Sequence, residues 1–313
     1  MLGKSGLRVP LFGVGAMTWG DEKTSPRWSP ARLAYGLAEG SDEQQKALEI
    51  SAAAGANVVD SAVFYGKGAS EKRVGELARG SKILLSTKFP MKILASAGSL
   101  PLELEGSLVR LQRRTIDLYQ IHFPSPWRPI PKLMQLMVDA VKAGKVQAVG
   151  VSNFSSAQML EAHAALASHG ISLASNQVQY SLLHRTPEVD GVLDACRELG
   201  VTLIAYMRLA SEALTGKYST ANLPTGFRKR TALFNLDTLE ALSPVIDLLS
   251  SIGRRYSKSP GQVALWWLIE RGALPIPGAK NSSQATHNAG ALTFSFTAEE
   301  VEAIDKATLA WKK

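Results

Sequence analysis

The sequence predicts an α/β protein of the (β/α)8 class, a TIM barrel with an N-terminal β-hairpin and long loops at its C-terminal face. Three observations predict it. Eight short runs of β-forming apolar residues recur along 313 residues: Phe12–Met17, Asn57–Ala62, Ile83–Phe89, Ile116–His122, Val146–Ser152, Ser175–Tyr180, Thr202–Met207 and Leu274–Ala279. The segments between them carry the 3.6-residue apolar period of helices. Several of those segments close on glycine, at Gly55, Gly144, Gly170, Gly200 and Gly272, the residue that most readily takes the left-handed turn ending a helix. Strands alternating with helices over about 300 residues make a parallel barrel.

Taken in order, KSGL and RVPL read as the two arms of a small hairpin closing the bottom of the barrel, and FGVGAM as the first strand. The stretch between Gly20 and Gly40 holds Trp28 and Tyr35 and reads as an irregular loop at the C-terminal mouth. SDEQQKALEISAAAG, PLELEGSLVRLQR, KLMQLMVDAVKAGK, AQMLEAHAALASHG, EVDGVLDACRELG and SPGQVALWWLIERG read as helices. Nearly unbroken apolar strands such as VVD and LIAY are expected where both faces are covered. A second long insertion, Ser211 to Asn235, follows the seventh strand and also falls at the mouth. The doubly wound sheet is the rival architecture, but no G-x-G-x-x-G follows the first strand. Gly13-Val-Gly15 and Gly66-Lys-Gly68 lack the third glycine and the later acidic residue. With no low-complexity linker or repeat, residues 1–313 are expected to form one domain.

Composition narrows the function. The lone cysteine, Cys196, rules out a disulfide within the chain and a multi-cysteine metal site, and its apolar-periodic setting marks a buried helix residue. The histidines His163, His169 and His184 are scattered, so no metal is expected. Net charge is +8, yet no dense Lys/Arg run with interleaved aromatics suggests nucleic acid. Arg228-Lys229-Arg230 reads as a solvated loop, and the excess charge suits a phosphate-bearing ligand. No apolar stretch reaches the roughly 20 residues of a membrane span. MLGKSGLRVPLFG lacks the apolar core of a signal peptide. The expectation is a cytoplasmic protein without nucleic-acid or membrane partners; oligomeric state is not legible.

The chemistry lies just past the strand ends. Asp60 ends strand two, Tyr65 follows in its loop, Lys88 ends strand three and His122 ends strand four. Adjacent strand ends converge in a barrel, so these four can share one pocket. Lys88 beside Tyr65 favours the phenolate and lowers the phenol pKa from about 10 toward neutrality, as a general acid for a carbonyl oxygen requires. Asp60 keeps Lys88 charged and oriented. His122 positions the substrate oxygen by a hydrogen bond. Individually such residues more often serve packing, capping or solvation; their joint occurrence in this order makes the case.

The segments GLRVPLFGVGAMTWG, VVDSAVFYGKGASEKRVGEL, LLSTKF, IDLYQIHFP, AVGVSNF, SNQVQYSLLHR, LTGKY and PIPGAKNSSQATHNAGAL together resemble the aldo-keto reductases, NADP-dependent barrel enzymes, essentially end to end. The resemblance is greatest to the plant and bacterial branch holding pyridoxal-reductase-like proteins. It implies an oxidoreductase that moves a hydride between NADPH/NADP+ and a small carbonyl substrate, with Asp60, Tyr65, Lys88 and His122 catalytic. It also implies that Ser152, Asn153 and Gln177 hold the nicotinamide carboxamide and that Tyr206 stacks on the ring. Met207, Arg208, Leu209 and Gly278 would also bind the cofactor, and Lys217 would lie near the pyrophosphate-side loop. Lys280 would meet the 2′-phosphate, Ser282 lies at the helix start where free N–H groups favour phosphate, and Gln284 and Asn288 reach the adenine from one helix face. Trp19, Trp28, Phe64, Phe89, Phe123 and Trp127, with Tyr35 and Met91, are expected around the substrate mouth.

The sequence departs from the family where relatives read AYSPLA-x-G-x-LTGKY: here it is AYMRLASEALTGKY. Met207 replaces a hydroxyl, Arg208 a proline and Glu212 a glycine. Arg208 could supply a charge-assisted phosphate contact or point into the substrate mouth; Glu212 needs a cationic partner, for which Arg208 is the nearest in sequence. His287 stands where relatives often carry an acidic residue. A non-catalytic NADP-binding regulatory subunit resembling potassium-channel β-subunits is the alternative; it would be marked by an exposed apolar docking surface or a damaged tetrad, and here the tetrad is intact. A Schiff-base role for Lys88 would need a desolvated, unpaired amine, which Asp60 argues against.

Overall fold

In a computed structural model, residues 1–20, 40–90, 99–125 and 127–312 are described. Eight strands pair in parallel in chain order: β1 (Val14–Gly15), β2 (Val58–Asp60), β3 (Leu84–Phe89), β4 (Ile116–Ile121), β5 (Val146–Ser152), β6 (Leu173–Gln179), β7 (Thr202–Tyr206) and β8 (Leu274–Pro275). The ring closes where Gly13 N–H donates to Pro275 O and Gly15 N–H to Pro277 O, both at 2.9 Å, with a parallel bridge between Gly15 and Gly278. This is the expected (β/α)8 barrel. β8 is shorter than the predicted Leu274–Ala279 because Pro275 and Pro277 have no N–H to give a ladder.

Helices α1 (Ser41–Ala53), α2 (Ala69–Leu77), α3 (Ser99–Leu111), α4 (Ile130–Lys142), α5 (Ser156–Ala167) and α6 (Val192–Leu199) follow the first six strands. After β7 come α7 (Leu236–Arg255) and α8 (Pro260–Glu270); after β8 come α9 (Ser282–Ala289) and α10 (Ala298–Ala307). The capping boxes Ser155/Gln158, Ser259/Gln262 and Thr297/Glu300 start α5, α8 and α10. The sequence reading did not single out α7, in which Pro244 interrupts the helical pattern. Buried Arg185 ties α10 to the loop after β6, donating to Glu188 at 2.7 Å and to Thr308 Oγ1 at 2.8 Å.

The predicted N-terminal hairpin is corrected. Residues 1–9 form no paired strands; a tight turn is closed by Leu2 N–H to Leu7 O at 2.7 Å. The arms are too short for a ladder, yet the expected plugging of the barrel bottom occurs. Leu2 and Leu7 pack with Leu118, Ala148, Ala174, Ile204, Leu274 and Ile276 inside the lower barrel. The main core lies outside the ring, between strands and helices. Cys196 is buried on α6, as expected, and burial pushes its thiol up to about 12.

Above the plug the interior turns polar. Register sets Asp60 beside Ser86, Lys88 beside Gln120, Gln120 beside Gly150 and Ser152 beside Gln177. The lack of a side chain at Gly150 makes room for this layer: a Cβ there would lie 2.4 Å from Ser175 Oγ and 2.9 Å from Gln120 Cγ. Gly150→Ala is therefore expected to destabilise by about 1–3 kcal/mol through overpacking, read as a lowered midpoint in urea; an unchanged midpoint would mean the layer yields freely.

Candidate active site

The four predicted residues meet at the C-terminal end of the barrel. Lys88, fully buried on β3, places Nζ 2.6 Å from Asp60 Oδ2 and donates at 2.8 Å to Ser61 O. Its Nζ lies 5.1 Å from the centroid of the Tyr65 ring. The Tyr65 and His122 rings meet edge-on, centroids 6.2 Å apart at 87°. Asp60 is held from the other side as well: its Oδ1 accepts from Ser86 Oγ at 2.8 Å and from Gln177 Nε2 at 3.1 Å. Gln120 Nε2 donates to Ser86 Oγ at 3.0 Å, and Ser175 Oγ reaches Gln120 Oε1 at 3.4 Å.

Ser86 and Gln120 were missed in the sequence, although a signal was there. Each precedes a singled-out residue, Lys88 or His122, by two positions, and period-2 alternation puts such pairs on one strand face. Polar residues there, in otherwise apolar strands, mark the inward face.

The turn carrying Tyr65 is fixed independently. Gly66, Lys67 and Gly68 all have positive φ, and a Cβ on Gly68 would fall 2.7 Å from Arg110 Cδ. Arg110 is there because its Nε donates to buried Glu71 at 2.6 Å, and Thr87 Oγ1 donates to the other Glu71 oxygen at 2.6 Å. The loop after β2 is thus clamped to the residue beside Lys88.

Electrostatics amend one expectation. Burial drives the Tyr65 phenol above its ordinary value, and the attraction of Lys88 only partly opposes this, with Asp60 adding to the rise. The anticipated fall toward neutrality is absent because desolvation of a phenolate outweighs one shared ammonium. For Lys88, burial works against the charge, but Asp60 and Tyr65 more than offset it, so the ammonium is retained. His122 is lowered to about 3, mainly by burial and then by the Lys88 charge.

The residues assigned to the cofactor fall into two groups. At the strand ends, Ser152 Oγ donates to Gln177 O at 2.8 Å. Asn153 Nδ2 donates to Ser152 Oγ and to His122 O at 3.1 Å each, and Tyr206 Oη donates to Asn153 Oδ1 at 2.9 Å. Asn153 has φ 61°, a left-handed conformation that asparagine tolerates. Leu209 packs against the core. Met207, Ala210, Ser211 and Glu212 have φ of 53°, 46°, 55° and 76°, so the departure from the family's glycine at 212 falls where glycine is conformationally favoured. Glu212 is met by Arg228 at 3.0 Å and Lys217 at 4.0 Å. That corrects the pairing with Arg208, whose guanidinium instead lies over Gly278: a Cβ there would be 3.7 Å from Arg208 Nη2. It also takes Arg228 out of the solvated loop assigned to it.

At the other end, Asn281 caps α9 by accepting from Gln284 N–H at 3.0 Å, and Gln284 Oε1 accepts from Lys280 N–H at 2.9 Å. Asn288 is buried and donates to Gly278 O at 3.1 Å. Ser282 gives its N–H at 3.1 Å and its hydroxyl at 2.8 Å to Glu43, a residue sequence reasoning missed. An anionic group therefore already sits at the start of α9.

Of the expected mouth aromatics, Phe64, Phe123 and Trp127 are exposed. Trp19 and Phe89 are corrected. They are 1 % and 0 % exposed, and the Trp19 indole N–H donates to Ala279 O at 2.8 Å. Both act as packing because their positions face the core rather than the mouth. Trp28, Tyr35 and Met91, with the loop from Gly20 to Gly40, lie outside the described residues apart from the two glycines. Among the described residues no helix is long and apolar enough to cross a membrane.

Known proteins identify the family. Residues 12–308 match the aldo/keto reductase family; the chain belongs to that family and is an NADP(H)-dependent oxidoreductase. It is 34 % identical to a chloroplastic pyridoxal reductase of Arabidopsis thaliana, over 94 % of this chain and 82 % of that protein. It is 32 % identical to the aldo-keto reductase yakc [NADP(+)] of Schizosaccharomyces pombe, over 85 % of this chain and 82 % of that one. Among solved structures, an aldo/keto reductase from Klebsiella pneumoniae in complex with NADP and acetate aligns with TM-score 0.70 and 26 % identity, covering 95 % of this chain and 91 % of that one. A glycerol dehydrogenase of Gluconobacter oxydans shares the fold, with TM-score 0.81 over 97 % of this chain and 93 % of that one at 24 % identity.

The residues present fit a dinucleotide: amide and hydroxyl groups at one end suit a carboxamide, and the N–H and hydroxyl of Ser282 at the start of α9 are donors of the kind a phosphate accepts from. Because its pKa is depressed rather than raised, His122 is neutral everywhere well above about 3. An NMR titration of the histidine ring is expected to leave its signals flat from about pH 5 to 8; an inflection near the ordinary value of 6.5 would show that the ring is not desolvated.

Proposed function

We propose that the chain is an NADPH-dependent reductase of small aldehydes or ketones, in reverse passing the hydride of an alcohol to NADP+, with Tyr65 as general acid and base. The observation that carries the reading is the buried ammonium of Lys88, bound to Asp60 at 2.6 Å and set beside the Tyr65 ring. When bound, the dihydronicotinamide supplies the hydride. The chain's own residues supply the rest. Burial keeps the Tyr65 phenol protonated, so a proton is available to the carbonyl oxygen as charge develops there. The Lys88 ammonium then stabilises the phenolate left behind, and Asp60 keeps that ammonium charged and aimed. Neutral His122 gives an uncharged donor to the same oxygen.

Ser152, Asn153 and Gln177 would hold the carboxamide by exchanging bonds they make to one another and to Asp60. The Tyr206 ring would pack on the nicotinamide. Met207, Arg208, Leu209, Lys217 and Gly278 would border the pyrophosphate, with the Arg208 cation standing in for a lost hydroxyl. Lys280 and Ser282 would face the 2′-phosphate, and Gln284 and Asn288 the adenine. Exposed Phe64, Phe123 and Trp127 favour a flat or apolar carbonyl compound. A purely regulatory cofactor-binding role predicts a broken tetrad, and what speaks for catalysis is that all four members meet.

The test is NADPH oxidation at 340 nm over a panel of aldehydes and ketones that includes pyridoxal. Tyr65→Phe is expected to lose about 10²-fold or more in turnover while NADPH still quenches tryptophan fluorescence with near wild-type affinity. Equal turnover in the variant would remove Tyr65 from the chemistry.

A further inference from the structure

We infer that Glu43 is a cofactor-specificity residue that weakens the enzyme's preference for a 2′-phosphate over a free 2′-hydroxyl. The inference rests on the cofactor reading above, in which the start of α9 faces the 2′ position of the adenosine ribose. It begins from a contact between distant parts of the chain. Glu43 lies in the first turn of α1, and α1 packs alongside α9. Its Oε2 accepts both the backbone N–H and the hydroxyl of Ser282, at 3.1 and 2.8 Å. Its Oε1 accepts from Lys46 Nζ at 3.0 Å, one turn along α1.

These are the donors a phosphate would use. Two neighbouring bonds are internal: Gln284 N–H goes to the Asn281 cap, and Lys280 N–H to Gln284 Oε1. The Ser282 pair is turned toward another element, and Glu43 has taken it. The Ser282 hydroxyl and N–H, with the Lys46 ammonium, hold the Glu43 carboxyl down to about 2. It is ionised at every working pH.

A 2′-phosphate reaching Ser282 must displace this carboxylate or lie beside it. In the first case Ser282 exchanges one anion for another and the gain shrinks; in the second, two anions sit side by side. Both penalise NADPH. NADH meets neither penalty. Its 2′-hydroxyl is a donor, and a carboxylate is the acceptor such a hydroxyl seeks in dinucleotide sites that take NAD. Lys280 acts in the opposite sense, as a cation toward the phosphate. The preference is then a balance between Lys280 and Glu43 rather than the work of the cation alone.

The test is direct binding, by tryptophan quenching or calorimetry, of NADP+ and NAD+ to the wild-type chain, Glu43→Gln, Glu43→Ala and Lys280→Met. Glu43→Gln keeps the side chain's size and, through its amide oxygen, the two bonds from Ser282, while losing the charge and the bond from Lys46; Glu43→Ala empties the place. Both are expected to tighten NADP+ by about fivefold, the scale of repulsion between partly exposed charges a few ångströms apart, and to leave NAD+ unchanged or weaker. Lys280→Met is expected to weaken NADP+ alone. Unchanged or looser NADP+ binding in both Glu43 variants, or equal tightening of both dinucleotides, overturns the role of Glu43 and leaves the cofactor reading standing. A wild-type chain that binds neither dinucleotide, or a Lys280→Met that weakens both alike, overturns the reading and the inference together. Thermal melting of each variant separates these outcomes from misfolding; Glu43 lies on an accessible helix turn, so all are expected to fold.

Discussion

The ion pair between Lys88 and Asp60 is the constraint around which the rest of the site is built. Both side chains are buried, at 0 % and 3 % exposure. Two charges removed from water are tolerable only when each is paired and the remaining lone pairs and protons are satisfied. The barrel supplies those partners from neighbouring strands: Ser61 O for the ammonium, Ser86 and Gln177 for the carboxylate, with Gln120 and Ser175 behind them. Glycine at 150 follows from the same need, since no side chain fits beside that network. A one-residue slip of any strand would turn its member of the set outward and strand a charge, so strand register and the polar layer specify one another.

The end proposed for the nicotinamide shows a second economy. Ser152, Asn153, Gln177 and Tyr206 satisfy one another before any ligand arrives. Their polar groups are held in place at low entropy, so on the proposed reading binding would exchange bonds rather than create order from disorder. Gln177 joins the two regions, because the amide expected to meet the carboxamide also donates to Asp60. The loop after β7 is the contrasting case. Four residues between 207 and 212 hold positive φ without glycine, a conformation that persists where surrounding structure enforces it. The Glu212–Arg228 pair and the Arg228 contact to Tyr218 are part of that enforcement.

Much of this was written in one dimension. The eight alternating runs gave the barrel, their ends gave Asp60, Lys88 and His122, and the turn after β2 gave Tyr65, because strand periodicity and the polarity of the residue ending each run are local properties. So were the helix ends: Gly55, Gly144, Gly170, Gly200 and Gly272 all take the left-handed conformation expected of them. Even Ser86 and Gln120 were readable as polar breaks in apolar strands.

What only the tertiary structure decided are balances between parts far apart in the chain. Whether Tyr65 would be lowered by Lys88 or raised by burial depends on how deeply the fold encloses it. Whether Glu212 would meet Arg208 or Arg228 depends on how a loop returns across the mouth. Whether Trp19 and Phe89 face a substrate or the core is a matter of packing. That Ser282 would meet Glu43, 239 residues away, follows from α9 closing the ring beside α1. Desolvation and charge pairing act through space, and a sequence records the residues that take part without recording the distances between them.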